Sequence, residues 1–397
     1  MSATLHPASP PTASHTRGSW LHGTDGVGPV LIMGLLLALL VGSGVAGFHG
    51  NLTGFVRFGH DFVAAIRPPH GAIIDTHAGN DGQYFWVFAH DPLILRGHTL
   101  AAFATQTFRL QRVAYPALAY LLAAGHAGLL PWSLLAVNIG VVLGATLAFG
   151  VYARRRGWSG WWGLALGLLP GFGFAVLGDF SDALAVTAML GGMIAWRHGR
   201  PRPAAALLTL AVLAREPMML AVAAIVIQVA LDARRPSAPD RVRRAWAALW
   251  PTAVVPVLAF GAWQVYIAAR VGGSTSAPGT AFAAPFTGII TEAGHAMHND
   301  SAIHGAWDLM YLGLMVVGLG VAAAMVRTQR SAPAIAALLF GLTLLVLTFG
   351  YAWSYTRLSA PMFACLLLVG LERRHRVALP ICVVVATLGV LLPLATG

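Results

Sequence analysis

The richest chemistry in this 397-residue chain lies in one stretch, Asn80-Asp81-Gly82-Gln83-Tyr84-Phe85-Trp86-Val87-Phe88-Ala89-His90-Asp91-Pro92. Asp81-Gly82 reads as a turn. The aromatic run from Tyr84 to Phe88 then reads as a short helix lying on a membrane surface, where aromatic side chains are favoured. A carboxylate on a tight turn above an apolar platform suits a general base, and partial drying is expected to raise its pKa. The plainer reading is that Asp81 caps the helix, because Asp is a favoured N-cap. Asp91-Pro92 is a weaker signal, since Asp before Pro commonly initiates a turn.

Four arginines could bind an anion, because the planar guanidinium engages oxyanions bidentately. They are Arg109, Arg112, Arg215 and Arg357. Arg215 stands out: it lies inside the apolar run 203–231 beside Glu216, and charge at that depth is costly unless it has a function. A structural Arg-Glu pair closing a helix break is the plainer alternative. Asp179 and Asp182 are three residues apart and share a helix face, where they could hold acceptor hydroxyls or a metal, or cap the following helix. Tyr351-Ala352-Trp353-Ser354-Tyr355-Thr356-Arg357 fits an interfacial aromatic belt; alternatively Trp353 or Tyr355 stacks on a sugar while Arg357 touches a phosphate. Among 15 histidines, His295 and His298, with Asp300 and His304 nearby, have metal-like spacing. They are weak candidates for a divalent ion, and a solvated loop is the bland alternative.

The elements that must position these groups are membrane helices. The chain has 25 basic residues, all Arg, and 14 acidic ones. Charged residues make up 10% of it, against about 25% in soluble domains. Hydrophobic residues make up 57%, and the mean hydropathy is +0.71. That composition excludes a disordered protein, a nucleic-acid-binding domain and an ordinary soluble enzyme. Apolar runs at 27–47, 132–153, 160–178, 246–270, 308–326, 332–350 and 377–395 approach the length of about 20 residues that crosses a bilayer. Shorter or interrupted runs lie at 109–130, 182–197, 203–231 and 358–371. The pattern predicts an all-α, polytopic transmembrane bundle of roughly nine to eleven membrane helices. Residues 1–26 read as a disordered polar tail, and 27–397 as a single membrane domain. Cys365 and Cys382 both lie in apolar runs and read as packing residues.

Arginine placement orients the bundle. Sixteen of the 25 arginines fall in five clusters, at 154–156, 197–202, 234–244, 327–330 and 373–376, which the positive-inside rule assigns to the cytoplasm. The run 203–231 must then break and return at Arg215-Glu216-Pro217, where Pro217 removes a backbone donor. The run 109–130 must be re-entrant or juxtamembrane, unless one arginine cluster is mis-sided. The N-terminus is then cytoplasmic and the loops 48–108 and 271–307 lie outside. Ten of the fourteen acids gather on that outer side, although the rule used no acid as input.

The pattern Asn80-Asp81-Gly82-Gln83, preceded by one hydrophobic helix and followed by Ala89-x-Asp91-Pro92, resembles the first outer loop of the GT-C superfamily. These are integral-membrane glycosyltransferases that use polyprenyl-phosphate sugars. The pattern is similar to the Trp-Asp-Gly-x-x-Tyr element of the GPI mannosyltransferase relatives, with Asn80 in place of the aromatic. It is closer to the Asp-Gly-Gln-aromatic form of a bacterial branch. Arg109-x-x-Arg112-x-x-Tyr115-Pro116 resembles the Arg-x-x-Tyr-Pro that follows the loop in that branch, and Leu213-Ala214-Arg215-Glu216 the later Arg/Lys-Glu element. The resemblance spans about residues 27–230. It implies a GT-C-like fold with Asp81 as the base that deprotonates the acceptor hydroxyl. Gln83, Asp91, Arg109, Arg112, Asp179, Asp182, Arg215, Glu216 and Arg357 are the substrate-binding candidates.

The implied function is inverting transfer of a hexose or pentose from a polyprenyl-phosphate-sugar donor. The acceptor would be an envelope glycan, lipid or protein at the outer face of a bacterial inner or plasma membrane. No nucleic-acid partner is expected, and a divalent ion is left open. Two alternatives stand beside it: a transporter or flippase for a lipid-linked or sugar substrate, and an inactive GT-C-like scaffold of an envelope-assembly complex. Transporters place ionisable residues near the bilayer midplane and often show repeated halves. Here the acids lie in loops and no repeat is evident.

Overall fold

The computed structural model describes residues 24–76, 78–234, 243, 246–272, 282–299, 301–348 and 352–390, with backbone only at 24, 352 and 353. Most of the tail 1–26, Arg235, Arg241, Arg244, Asp300 and Tyr351 lie outside the described residues. The fold is all-α apart from one parallel pair of two-residue strands, Phe58–Gly59 and Ile74–Asp75. The chain is a multi-pass membrane protein: five of its helical segments are long and apolar enough to cross a bilayer. They are Asp25–Gly47, Ala127–Arg155, Glu216–Ala233, Trp246–Val271 and Ala302–Gln329.

In chain order the principal helices are α1 (Thr24–Gly47), α2 (Asp81–His90), α3 (Ala114–Leu122), α4 (Leu130–Arg155), α5 (Trp162–Gly167), α6 (Pro170–Leu177), α7 (Asp182–Arg197) and α8 (Pro201–Ala214). There follow α9 (Met219–Ala233), α10 (Val255–Val271), α11 (Thr287–Met297), α12 (Ala302–Gln329), α13 (Ala332–Val346), α14 (Ala352–Leu358), α15 (Ala360–Arg373) and α16 (Ala378–Val390).

The burial pattern is that of helices whose solvent is hydrocarbon. On α1, Leu31, Leu35 and Leu39 recur every four residues and stand exposed, while Met33 and Leu37 are buried. On α12, Ile303, Met310 and Val317 recur every seven residues on the open face. The opposite face buries Tyr311, Met315, Gly318, Ala322 and Met325. Contiguous outward leucine and valine would be a liability in water and is the expected surface in lipid.

The interrupted runs behave as their sequence dictates. The run 109–130 folds as a 3-10 turn at Thr107–Gln111, then α3, then a second 3-10 turn at Ala127–Leu129. Nine residues of α3 rise only about 14 Å, too short to cross a bilayer. The run 203–231 breaks at Arg215–Met218, with Arg215 extended and Pro217 in a 3-10 turn. One expectation is revised: 160–178 is not one helix. Pro170 forces Leu169 into an extended conformation, so the run divides into α5 and α6.

The bundle has two chemically distinct ends. At one end Arg156, Arg197 and Glu372 meet: Arg197 Nη2 lies 2.7 Å and Arg156 Nη2 3.9 Å from the Glu372 carboxylate, and the Tyr152 hydroxyl donates to it. Three separate arginine clusters therefore share that end, since Glu372 adjoins Arg373, Arg374 and Arg376. The other end holds Asp182, at the start of α7. Sixteen residues of α7 place the two ends about 24 Å apart.

Candidate functional site

The site is built by five segments that converge at the start of α7. Asp81 is the first residue of α2, and Asn80 is the N-cap without a side-chain cap bond, so Asp81 is not spent on capping. Its carboxylate turns to three guanidiniums. Arg109 Nη2 lies 2.8 Å from Oδ1; Arg112 Nη1 and Arg357 Nη2 lie 3.2 and 3.5 Å from Oδ2. Arg112 also grips Glu216 bidentately, Nη2 to Oε1 at 2.8 Å and Nε to Oε2 at 2.9 Å. Arg357 Nε lies 3.3 Å from Asp182 Oδ2, and Arg215 donates to Asp182 Oδ1. Asp182 likewise follows its N-cap, Ser181, and puts its carboxylate into this network instead of a cap.

Four guanidiniums thus meet three carboxylates, leaving one positive charge in excess. Asp81, Arg112, Asp182, Arg215 and Arg357 are all buried. Aromatic rings support the cations: the Arg357 guanidinium lies 4.2 Å from the Phe180 ring centre, and that of Arg109 lies 4.3 Å from Tyr84. These contacts were not foreseen in the sequence, although both rings adjoin residues that were singled out. Charge-stabilising aromatics beside a buried arginine are their only signal.

Two expectations about Asp81 are corrected. The helix behind it does not lie free on a membrane surface: every residue from Asp81 to Ala89 is buried by protein. Nor is its pKa raised. Burial pushes it up, but Arg109, Arg357, Arg112 and Arg215 together hold it well below the usual carboxylate range.

Three other candidates stand apart from the arginines. Gln83 is a staple: its Oε1 accepts from the Gly59 amide at 2.9 Å and its Nε2 donates to Ala78 O at 2.7 Å. Asp91 accepts from the amides of Leu95 and Arg96 and from the Thr99 hydroxyl, as a turn initiator does. Asp179, in a left-handed turn (φ 51°), is fully buried 3.5 Å from the Tyr115 hydroxyl. Burial pushes its carboxyl well above the ordinary range, which favours the neutral acid. Both binding ends of Gln83 and Asp91 are thereby occupied, and Asp179 lies behind α2.

Of the metal candidates His295, His298 and Asp300, Asp300 lies outside the described residues, and the two histidines have other contacts. His295 Nδ1 lies 3.6 Å from Glu292 Oε1, and His298 Nδ1 is 2.8 Å from Gly294 O. Among the described residues, no group of three or more His, Cys, Asp or Glu is placed to hold a metal. Tyr355 is fully buried and donates to Leu347 O at 2.6 Å, so it offers no face for sugar stacking.

The arrangement defines a class, a helical membrane protein with a buried cluster of four arginines and three carboxylates at one end. Comparison with family models, with curated proteins and with solved structures finds no match in any of the three.

Proposed function

We propose that the chain is an inverting glycosyltransferase of GT-C type that takes a polyprenyl-phosphate sugar at the outer membrane face. The observation that carries this reading is the convergence of Asp81, Arg109, Arg112, Asp182, Arg215, Glu216 and Arg357 from segments up to 276 residues apart. A phosphate leaving group departs as a stabilised anion and needs positive charge, not a general acid; four arginines supply that charge. The acceptor hydroxyl attacks the anomeric carbon as the bond from that carbon to the phosphate oxygen breaks. Its proton passes to Asp81, and the phosphate stays on the arginines. One displacement inverts the sugar. Asp182 and Glu216 hold Arg215, Arg357 and Arg112 in place and are positioning residues.

An apolar cleft of about 300 Å³, lined by Met33, Leu37, Val142, Phe172 and Val390 among others, supports a lipid-linked donor. Its lining residue Phe172 adjoins Gly171, where an added Cβ would lie 3.1 Å from the Arg357 carbonyl. An isoprenoid tail in that slot would run beside the backbone of the segment that carries Arg357. The acceptor is an envelope glycan, lipid or protein, and the end where Arg156, Arg197 and Glu372 meet faces the cytoplasm. Mass spectrometry of envelope glycans and polyprenyl-phosphate sugars in a deletion strain tests the reading. A missing sugar with its donor accumulating is expected; unchanged glycans and donors would refute it. Substrate moved across liposomes without donor consumption would instead establish the transporter.

A further inference from the structure

We infer that Asp81 is an internal plug: its carboxylate occupies the place among Arg109, Arg112 and Arg357 that the donor phosphate takes, and phosphate binding displaces it. This rests on the site being one for a phosphate-bearing donor. Asp81 is the shared anion of three guanidiniums within 3.5 Å, whereas Glu216 and Asp182 lie to the sides on Arg112, Arg215 and Arg357. An arriving phosphate offers more oxygens than one carboxylate and can engage several guanidinium forks at once. Two anions cannot share that space without strong repulsion, so the weaker ligand leaves.

The backbone under Asp81 is closely packed. A Cβ on Gly82 would stand 2.7 Å from Gly178 O and 2.8 Å from Val56 O, so the displacement falls to the Asp81 side chain. Freed of its cations and facing a new anion, the carboxylate becomes a stronger base. The resting site therefore holds a poor base, and the donor itself activates it. Donor binding and base strength are one event.

Calorimetric binding of farnesyl phosphate and of inorganic phosphate to the purified full chain in detergent tests this. Asp81→Asn keeps the shape and removes the charge; it is expected to bind phosphate at least about tenfold more tightly than the unaltered chain. Asp81→Glu should stay close to the unaltered value. A gain with either probe supports the plug, and the tighter probe identifies a lipid-linked or a free phosphate. Equal or weaker binding by Asp81→Asn, or no binding by either form, overturns it. Tighter binding by Asp81→Asn with no sugar transfer by the unaltered chain would leave the plug standing and remove the transferase.

Discussion

Charge is so scarce in this chain that each buried carboxylate and guanidinium needs a partner, and at the residue scale those partners define the site. Asp182 shares Arg215 and Arg357. Replacing Arg215 with Ala leaves that buried carboxylate with one cation, and should cost about 3 kcal/mol, at the lower end of values for breaking a buried pair. Thermal unfolding in detergent measures it; an unchanged melting temperature would show that the pair contributes nothing. Asp91 predicts a pH effect. Burial raises its pKa, but the Leu95 and Arg96 amides, the Thr99 hydroxyl and Arg96 together hold it below the ordinary aspartate value of 3.8. The stability it contributes is therefore complete above that value and is lost as pH falls below it. Amide exchange in residues 91–99 should rise on acidification below about pH 4. Asp91→Asn should be fast at both pH values, and a variant that still slows on raising the pH would refute the assignment. Which residues carry charge into apolar surroundings was legible in the sequence. How they pair was not, because Asp81 and Arg357 are joined by the fold alone.

At the element scale the strongest constraint is the fit of α2. Its glycine, Gly82, packs against two backbone carbonyls that cannot yield, Gly178 O and Val56 O. Gly82→Ala should therefore destabilise the protein by about 1–3 kcal/mol and move Asp81 off its arginines. Reduced melting temperature together with a lower kcat is expected; wild-type values for both would show that the contact relaxes freely. The break at Arg215-Glu216-Pro217 could be anticipated, since proline and two charges interrupt an apolar run. The depth of α2 could not: a run of aromatics reads equally as an interfacial belt or as a core. The division of 160–178 turned on a single residue, Pro170, within otherwise uniform hydrophobicity.

Across the whole molecule, α7 and α15 each join the end that holds the site to the end where Arg156, Arg197 and Glu372 meet, α7 from Asp182 to Arg197 and α15 from beside Arg357 to Arg373. The segregation read from loop arginines reappears as physical contact, because Arg156, Arg197 and Glu372 come together. A reporter fused after Arg156 should report a cytoplasmic location, and an extracytoplasmic signal would reverse the proposed orientation. The membrane class was legible because composition is a bulk property, whereas the activity depends on side chains a few ångströms apart. The most direct measurement is consumption of a defined set of polyprenyl-phosphate sugars by the purified chain in liposomes, compared with Asp81→Asn. The account predicts that one donor is converted to polyprenyl phosphate with an inverted glycosidic product, and that Asp81→Asn slows this by about 10²–10⁴-fold. Equal turnover by the two forms would contradict it.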